Sequence, residues 1–188
     1  MASAAATRGH DVVLVSGPVG LAPPAGVRVI SVVSAAEMYE HSVASFEGCD
    51  AAIMTAAVCD YRPSRRLDHK LKKRATPRPI TLVPTRDIAA ELGRTKGRRV
   101  VVGFAMEDHD HHANAEAKLQ KKRCDAIVLN GIGNVGSNHA AVEILRAPKR
   151  WSRPVRGTKA KIALIVVGLV EELVADCKGD ARASRNHL

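Results

Sequence analysis

The chain has 188 residues and a formal net charge of +10, with 46% apolar but only 3% aromatic residues. That length suits one domain able to bury roughly two-thirds of its unfolded surface, and its core must rest on Val, Ile, Leu and Ala. No run of about 18 apolar residues occurs, and no cationic start precedes an apolar core, so neither a membrane helix nor a secretory leader is expected and the protein reads as soluble and cytoplasmic.

In chain order, "SAAATRGHDVVLVS" reads as the tail of a helix running into a strand at 11–16, followed by a strand at 27–32. Ser34, with Glu37 three residues on, forms a capping box for a helix that ends at Gly48. A strand at 50–56, a helix following Thr85, a strand at 98–105, a helix over "HHANAEAKLQKKR", a strand at 125–130 and a last helix from Thr158 complete the series. The strands are near-continuous apolar runs, the pattern of a parallel sheet covered on both faces. Their alternation with helices predicts an α/β fold, Rossmann-like, in three α/β/α layers around a mostly parallel sheet. One domain is expected over residues 1–178, with the polar stretch 179–188 a disordered tail. In a doubly wound sheet the first strand is central and the loop after it carries phosphate-binding glycines. Residues 1–188 offer neither, since Pro18 in "SGPVG" spoils a helix start that would face a phosphate. A sheet with its first strand and Gly-rich loop missing is therefore the expectation.

Charge is concentrated in the middle of the chain. Residues 1–50 hold two Lys or Arg against five acids, and residues 51–100 hold thirteen against four. In "AAVCDYRPSRRLDHKLKKR" a carboxylate, Asp60, stands at the mouth of a loop carrying Arg62, Arg65, Arg66, Lys70, Lys72, Lys73 and Arg74. Such a segment, without an amphipathic helix or apolar anchor, predicts a phosphorylated or nucleic partner rather than a membrane. Pro63, Pro77 and Pro79 exclude a helix, so "KLKK" reads as extended, with Lys70 and Lys72 on one side, placed to lay ammonium groups on a triphosphate. Nucleic-acid binding is the competing use, weakened because Tyr61 is the one nearby aromatic for base stacking.

Ligands of parallel sheets gather at the carboxyl ends of strands. Asp60, Phe104 with Glu107, and Asn130 with "GIGNVGSN" all follow strands, while Lys118 and Lys122 share a helix face at i and i+4. The adjacent histidines of "HDHH", 109–112, cannot converge on one ion, and no protein metal site is expected. Cys49, Cys59, Cys124 and Cys177 lack paired spacing and read as reduced thiols. No Ser/His/Asp or Cys/His arrangement is assignable.

"TAAVCDYRP", followed ten residues after its Asp by "KLKK", then "VVGFAMED", then "AEAKLQKKRCDAIVLN", resembles the phosphopantothenate–cysteine ligase family, the second activity of the bacterial bifunctional coenzyme A biosynthesis protein. The resemblance extends from about Arg8 to about Asp176. It implies that 4′-phosphopantothenate attacks CTP, with ATP as the other candidate nucleotide, to give an acyl-cytidylate and pyrophosphate, and that cysteine then displaces CMP. It further implies Mg²⁺, a homodimer whose lysine-bearing flap helps complete a site, and a flavin-dependent decarboxylase domain encoded upstream. The nucleotide-binding positions it implies are Met54, Thr55, Ala56, Asp60, Lys70, Arg86, Asp87, Ile88, Ala89, Phe104, Lys118 and Lys122, with Lys70 the catalytic cation. Neither nucleic acid nor membrane is an implied partner. Cys59 stands where the family has a small Ala, "PTRDI" replaces Asn-Pro-Asp-Ile, and "SNHAAVEIL" is a loose version of a family strand. The family's Gly-rich loop and the Ser-Ser-Gly-Lys segment holding its catalytic Asn belong before residue 1, so impaired ligase activity is the expectation for this chain. A non-catalytic nucleotide- or nucleic-acid-binding module is the alternative. A nicotinamide-dependent oxidoreductase is disfavoured by the lack of G-x-G-x-x-G.

Overall fold

A computed structural model describes residues 1–107, 109–134 and 136–185. Helix α1 (Ala2–Thr7) leads into strands β1 (Val13–Ser16) and β2 (Arg28–Ser31), then helix α2 (Ala35–Phe46) and strand β3 (Ala51–Met54). Short strands β4 (Tyr61–Pro63) and β5 (Leu82–Pro84) flank the basic loop. Helix α3 (Ile88–Thr95), strand β6 (Val100–Met106), helix α4 (His111–Lys121) and strand β7 (Ala126–Asn130) follow. Strands β8 (His139–Arg146), β9 (Arg150–Trp151) and β10 (Val155–Thr158) precede the long helix α5 (Lys159–Arg185).

The main sheet has the order β10-β8-β7-β6-β3, with β9 paired to β8. β3, β6 and β7 are parallel, as the continuous apolar runs predict. β8 turns back antiparallel to β7, and β10 pairs antiparallel with β8. The reversal follows from length: residues 131–138 are too few for the crossover of a dozen or more residues that a parallel neighbour requires. β1 and β2 form a parallel pair of their own, Val13 opposite Arg28 through Ser16 opposite Ser31.

Period-two alternation divides the core into two layers. Val101, Ala105, Ile127, Leu129 and Leu145 face Phe46 of α2, Ile88 and Leu92 of α3, and Ala115 and Leu119 of α4. On the other face Val100, Val102, Ala126, Val128, Val142 and Ile144 pack on Ile162, Val166 and Leu169 of α5. Each fully buried Val or Leu contributes about 1.5–3 kcal/mol relative to exposure, so three α/β/α layers follow from pattern alone.

The helix ends show how the layers lock. Ser34 caps α2 by accepting from the Glu37 N–H at 3.2 Å, and the Glu37 carboxylate accepts the Val33 N–H at 2.7 Å, one residue before the usual capping-box donor. That backbone bond lowers the Glu37 pKa. Arg99 donates to the carbonyls of Phe46 (2.6 Å), Lys96 (2.9 Å) and Thr95 while lying 4.2 Å over the Phe46 ring, so one guanidinium serves the C-terminal ends of both α2 and α3.

Three expectations are corrected. α3, expected to follow Thr85, starts at Ile88 with Asp87 as its cap, the Thr85 hydroxyl being engaged with the Cys59 carbonyl at 2.6 Å. α5 runs to Arg185, so residues 179–185 are helical where composition predicted a disordered tail, and 186–188 lie outside the described residues. Strands β4, β5, β9 and β10 had no counterpart in the reading of the sequence.

α3 passes so close to the last turn of α4 that a Cβ on Gly93 would lie 1.9 Å from the Lys122 carbonyl oxygen. Gly93→Ala is expected to destabilise by about 3 kcal/mol. Gly168→Ala in α5, where nothing lies within 4 Å of the added carbon, is expected to stabilise by about 0.5–1 kcal/mol. Urea unfolding of the two variants checks both signs.

Arg8 and His10 clamp the start of the chain to α5. The Arg8 Nε donates to Glu171 at 2.8 Å, a second Arg8 nitrogen bonds the other oxygen, and His10 Nε2 lies 2.7 Å from the carboxylate. The hydrogen bond from Arg8, then that from His10, holds the Glu171 carboxyl down at about 2. A depressed folded pKa contributes stability that is fully present above the unfolded value near 4.5 and is lost as pH falls through about 2. The urea-midpoint gap between wild type and Glu171→Gln is therefore expected to be open at pH 6 and to close between about pH 4.5 and 2; a gap independent of pH would contradict this clamp.

Candidate functional site

β3 ends at the half-buried Met54, and Thr55 and Ala56 beyond it are exposed. The chain then reaches Asp60, an exposed residue whose backbone carbonyl accepts the Thr85 N–H at 2.8 Å. Together with the Thr85 hydroxyl bond to Cys59, this pins the Asp60 turn to the entry of α3. At that entry Asp87 accepts from the Ala90 N–H at 3.0 Å, and its other oxygen lies 3.3 Å from Lys122 Nζ. Ile88 is buried and Ala89 half-buried, so their backbone, not their side chains, faces outward at the positive end of the α3 dipole.

Around this entry the expected cations are already paired. The Arg86 guanidinium sits 3.9 Å over the Tyr39 ring and 3.2 Å from Glu40. Lys122 faces Asp87, and Lys118, one turn earlier on α4, pairs with Glu107, the largely buried carboxylate just after β6. These form a charged seam over α2, α3 and α4. An exposed pair such as Arg86–Glu40 contributes about 1 kcal/mol or less, whereas charge-assisted bonds to a phosphate are roughly twice as strong as neutral ones. A polyanion can therefore take Arg86 at small cost, whereas drawing Lys118 away leaves the largely buried Glu107 carboxylate unpaired.

Lys70 lies apart from that seam. Every residue from 59 to 82 is exposed, with β4 and β5 pairing only at the base of the flap. "KLKK" forms no strand, and among the described residues Lys70 has no ion pair. Phe104 is half-buried on β6, packed with the α5 layer and so on the face opposite α2, α3 and α4. Asn130 closes the β7–β8 loop: Asn134 donates to its side-chain oxygen and to the Ala141 carbonyl (2.8 Å) and accepts from the Ala141 N–H (3.0 Å). The geometry thus joins Asp60, Arg86, Asp87, Ile88, Ala89, Lys118 and Lys122 along one surface, with Lys70 on the flap and Phe104 on the opposite face.

Tyr39, Glu40 and Thr85 belong to this surface, and nothing in the linear spacing of "EMYEH" announces them. Stacking of Arg86 on Tyr39 is a tertiary contact across forty-seven positions. His112 packs edge-on at 4.4 Å against Trp151 and lies 3.2 Å from Glu143, and the Trp151 indole donates to Glu116 at 3.1 Å. Among the described residues no group of three or more His, Cys, Asp or Glu could hold a metal ion. Burial raises the Cys124 thiol to about 11 and pushes the Cys49 thiol up, so both stay protonated at neutral pH. No described helix is long and apolar enough to cross a membrane.

A cavity of about 750 Å³ opens between β1 and β3. Met54, Thr55 and Ala56 line it, while Asp60, Lys70, Arg86, Phe104, Lys118 and Lys122 do not.

Residues 1–173 match the family described as the DNA/pantothenate metabolism flavoprotein C-terminal domain. A cysteine/cysteine sulfinic acid decarboxylase from an unknown prokaryotic organism is 48% identical over 139 residues, covering 73% of this chain and 39% of that protein. The coenzyme A biosynthesis bifunctional protein CoaBC of Vibrio vulnificus (strain CMCP6) is 41% identical over 181 residues, covering 93% of this chain and 45% of its own length. The crystal structure of the C-terminal domain of a CoaBC matches with a TM-score of 0.77 at 30% identity, covering 93% of this chain and 80% of that one. The chain spans less than half the length of these curated relatives.

Asp87 does two things, and two substitutions separate them. Asp87→Ala is expected to lose about 1 kcal/mol of stability through the helix cap, and Asp87→Asn, which keeps the cap and removes the charge, less than half of that. Equal losses in urea titrations would assign the contribution to the Lys122 pair instead.

Proposed function

Because the chain belongs to the DNA/pantothenate metabolism flavoprotein C-terminal domain family, we propose that it is the ligase portion of coenzyme A biosynthesis. In this reading the carboxylate of 4′-phosphopantothenate attacks the α-phosphorus of CTP, and pyrophosphate leaves. The amine of cysteine then attacks the acyl carbon of the resulting acyl-cytidylate, and CMP leaves as the amide forms. Neither step needs a protein nucleophile. Both depend on positioning and on neutralising phosphate charge, which is the kind of chemistry a surface of paired cations supplies.

The observation that carries the reading is the linked series from Asp60 through Thr85 and Asp87 to Lys122. Asp60, held by its backbone, has a free carboxylate to accept hydrogen bonds from the ribose hydroxyls or the base amino group. The α3 entry and Lys122 and Lys118 offer donors toward the phosphates, once Asp87 and Glu107 release the two ammonium groups. Lys70 approaches on the flap as the cation for the α-phosphate. Mg²⁺ fits as an ion carried by the triphosphate, since the described residues supply no carboxylate cage and Mg²⁺ is commonly held by substrate phosphates. No step is derived through it.

The flap also bears Leu67, Leu71, Ile80 and Leu82 in exposed positions. Apolar side chains beside so many cations suit contact with a second copy of the chain, in keeping with a homodimer, and a flavin-dependent decarboxylase is the partner activity. The location is cytoplasmic, where the substrates and reduced cysteines both belong. The flap's charge favours one other reading, a nucleic-acid-binding module without chemistry.

Calorimetric titration with CTP, ATP and a short RNA, paired with pyrophosphate release in the presence of Mg²⁺, 4′-phosphopantothenate and cysteine, tests the proposal. Saturable CTP binding is expected, weakened roughly tenfold or more by Asp60→Ala, with Lys70→Ala reducing pyrophosphate release by about 10²-fold. RNA binding with a steep salt dependence and no saturable CTP binding would replace the ligase reading with the other.

A further inference from the structure

Among the described residues two arginines lie over aromatic rings of α2, and they differ in what their nitrogens do. Arg99 lies 4.2 Å over Phe46, and all three of its nitrogens donate to backbone carbonyls, those of Lys96, Phe46 and Thr95. That guanidinium is fully used in joining helix ends. Arg86 lies 3.9 Å over Tyr39, yet among the described residues its one hydrogen bond runs from Nη2 to the exposed Glu40 carboxylate at 3.2 Å. A guanidinium carries five N–H donors in a fixed fork. Arg86 is therefore held in place with most of its donors open, and 57% of its side chain is exposed.

The backbone beneath it is held as well. Thr85 is tied twice, through its N–H to the Asp60 carbonyl at 2.8 Å and through its hydroxyl to the Cys59 carbonyl at 2.6 Å. On the other side Asp87 caps α3 by accepting from the Ala90 N–H at 3.0 Å. The Tyr39 ring that sets the guanidinium plane is itself packed on the core layer of Phe46, Ile88 and Leu92. Those apolar contacts and Arg99 already join α2 to α3, so the fold has no need of a second stacked arginine. An exposed arginine loses side-chain freedom when it is ordered, and a ligand gains from finding that loss already taken.

From this contrast we infer that Arg86 is a clamp for the polyphosphate of the nucleotide and that Tyr39 is its positioning residue, with Glu40 the carboxylate that a phosphate displaces. The inference rests on the nucleotide-binding reading above and adds to it what selects the ligand. The open fork suits two oxygens of one phosphate, a geometry that a lysine in its place does not offer. In "PTRDI" Arg86 stands where the Asn-Pro-Asp-Ile pattern has a proline, which has no side-chain donor. Its chain neighbour Asp87 lies 3.3 Å from Lys122 Nζ, so α2 steers one cation and α4 another to adjacent residues at the α3 entry. A di- or triphosphate has charge for both and a monophosphate for one. The clamp therefore favours CTP over CMP, the nucleotide that must leave once the amide has formed.

Titration calorimetry at fixed ionic strength with inorganic tripolyphosphate tests the clamp apart from the nucleoside, with CTP and CMP titrated in parallel. Arg86→Ala is expected to weaken tripolyphosphate and CTP about tenfold and CMP less than about twofold. Tyr39→Leu is expected to weaken tripolyphosphate about threefold, to add nothing in the Arg86→Ala background, and to be rescued by Tyr39→Phe, which keeps the ring. Glu40→Gln is expected to act with the opposite sign, tightening tripolyphosphate by about twofold more than Glu47→Gln, the same charge change at the C-terminal end of α2. A purely structural pair would move Tyr39 and Glu40 variants in the same direction. Absent tripolyphosphate binding, a Tyr39→Leu loss that persists without Arg86, a Glu40→Gln effect no larger than that of Glu47→Gln, or equal weakening of CMP and CTP would each overturn the inference. The expected tripolyphosphate series without any CTP binding would support the clamp and overturn the ligase reading instead.

Discussion

β6 carries Val100, Val101 and Val102 with no exposed surface, and it does so only because an apolar layer covers each of its faces. Its neighbours inherit their positions from that burial. β7 is fixed in register by Val102 opposite Ala126 through Met106 opposite Asn130, and β3 by Ala51 opposite Val100. At the amino ends Asp125 accepts the Val101 N–H at 2.8 Å and pairs with Lys96, satisfying polar groups that the buried strand start would otherwise leave unpaired. With the amino ends closed by structural bonds, the carboxyl ends are where loops are free to carry function. Asp60, Glu107 and Asn130 are there because the parallel order of three strands brings their ends to one edge.

The polar surface at that edge is built in two degrees of order. Asp60, Thr85, Asp87 and Lys122 are joined by hydrogen bonds and an ion pair to elements that the core holds in place. The flap from 64 to 81 has a three-pair ladder at its base and exposed side chains throughout. Its cations outnumber its one acid, Asp68, and no ion pair is seen there among the described residues, so a bound polyanion is the partner that would lower its electrostatic energy most. The seam and the flap therefore differ in what a ligand must do: displace carboxylates from one, order the other.

Much of this was legible in the sequence because apolar period and capping chemistry are local. Ser34 with Glu37, the runs at 98–105 and 125–130, and the loop prolines each specify their own conformation within a few residues. β9 and β10 were not legible, since two- and four-residue strands made of Arg, Trp, Val and Gly carry no period. The sequence placed α3 only as following Thr85; since Thr85 and Asp87 are both good caps, the tertiary bond from Thr85 to Cys59 is what leaves the cap to Asp87. The pairing of the predicted residues was not legible: Arg86 on Tyr39 and Lys118 on Glu107 depend on which helices adjoin. The polar tail was misread because composition reports solvation, and α5 continues past its apolar stretch once its first turns are packed.

The pairing of every seam cation has a consequence for selectivity. A neutral ligand gains nothing by breaking Lys122 from Asp87 or Lys118 from Glu107, and a monovalent anion replaces one carboxylate by another. A ligand with several closely spaced negative charges replaces two carboxylates at once and can meet Lys70 and its neighbours as well. Exposed single pairs are weak, but the charges of one polyphosphate act from a single bound body and carry no separate association cost. The acids of the seam hold its lysines in place, with Asp87 3.3 Å from Lys122 and Glu107 paired with Lys118. Asp60 stands outside the ion pairs because its backbone carbonyl, not its carboxylate, makes the bond that ties the turn to Thr85.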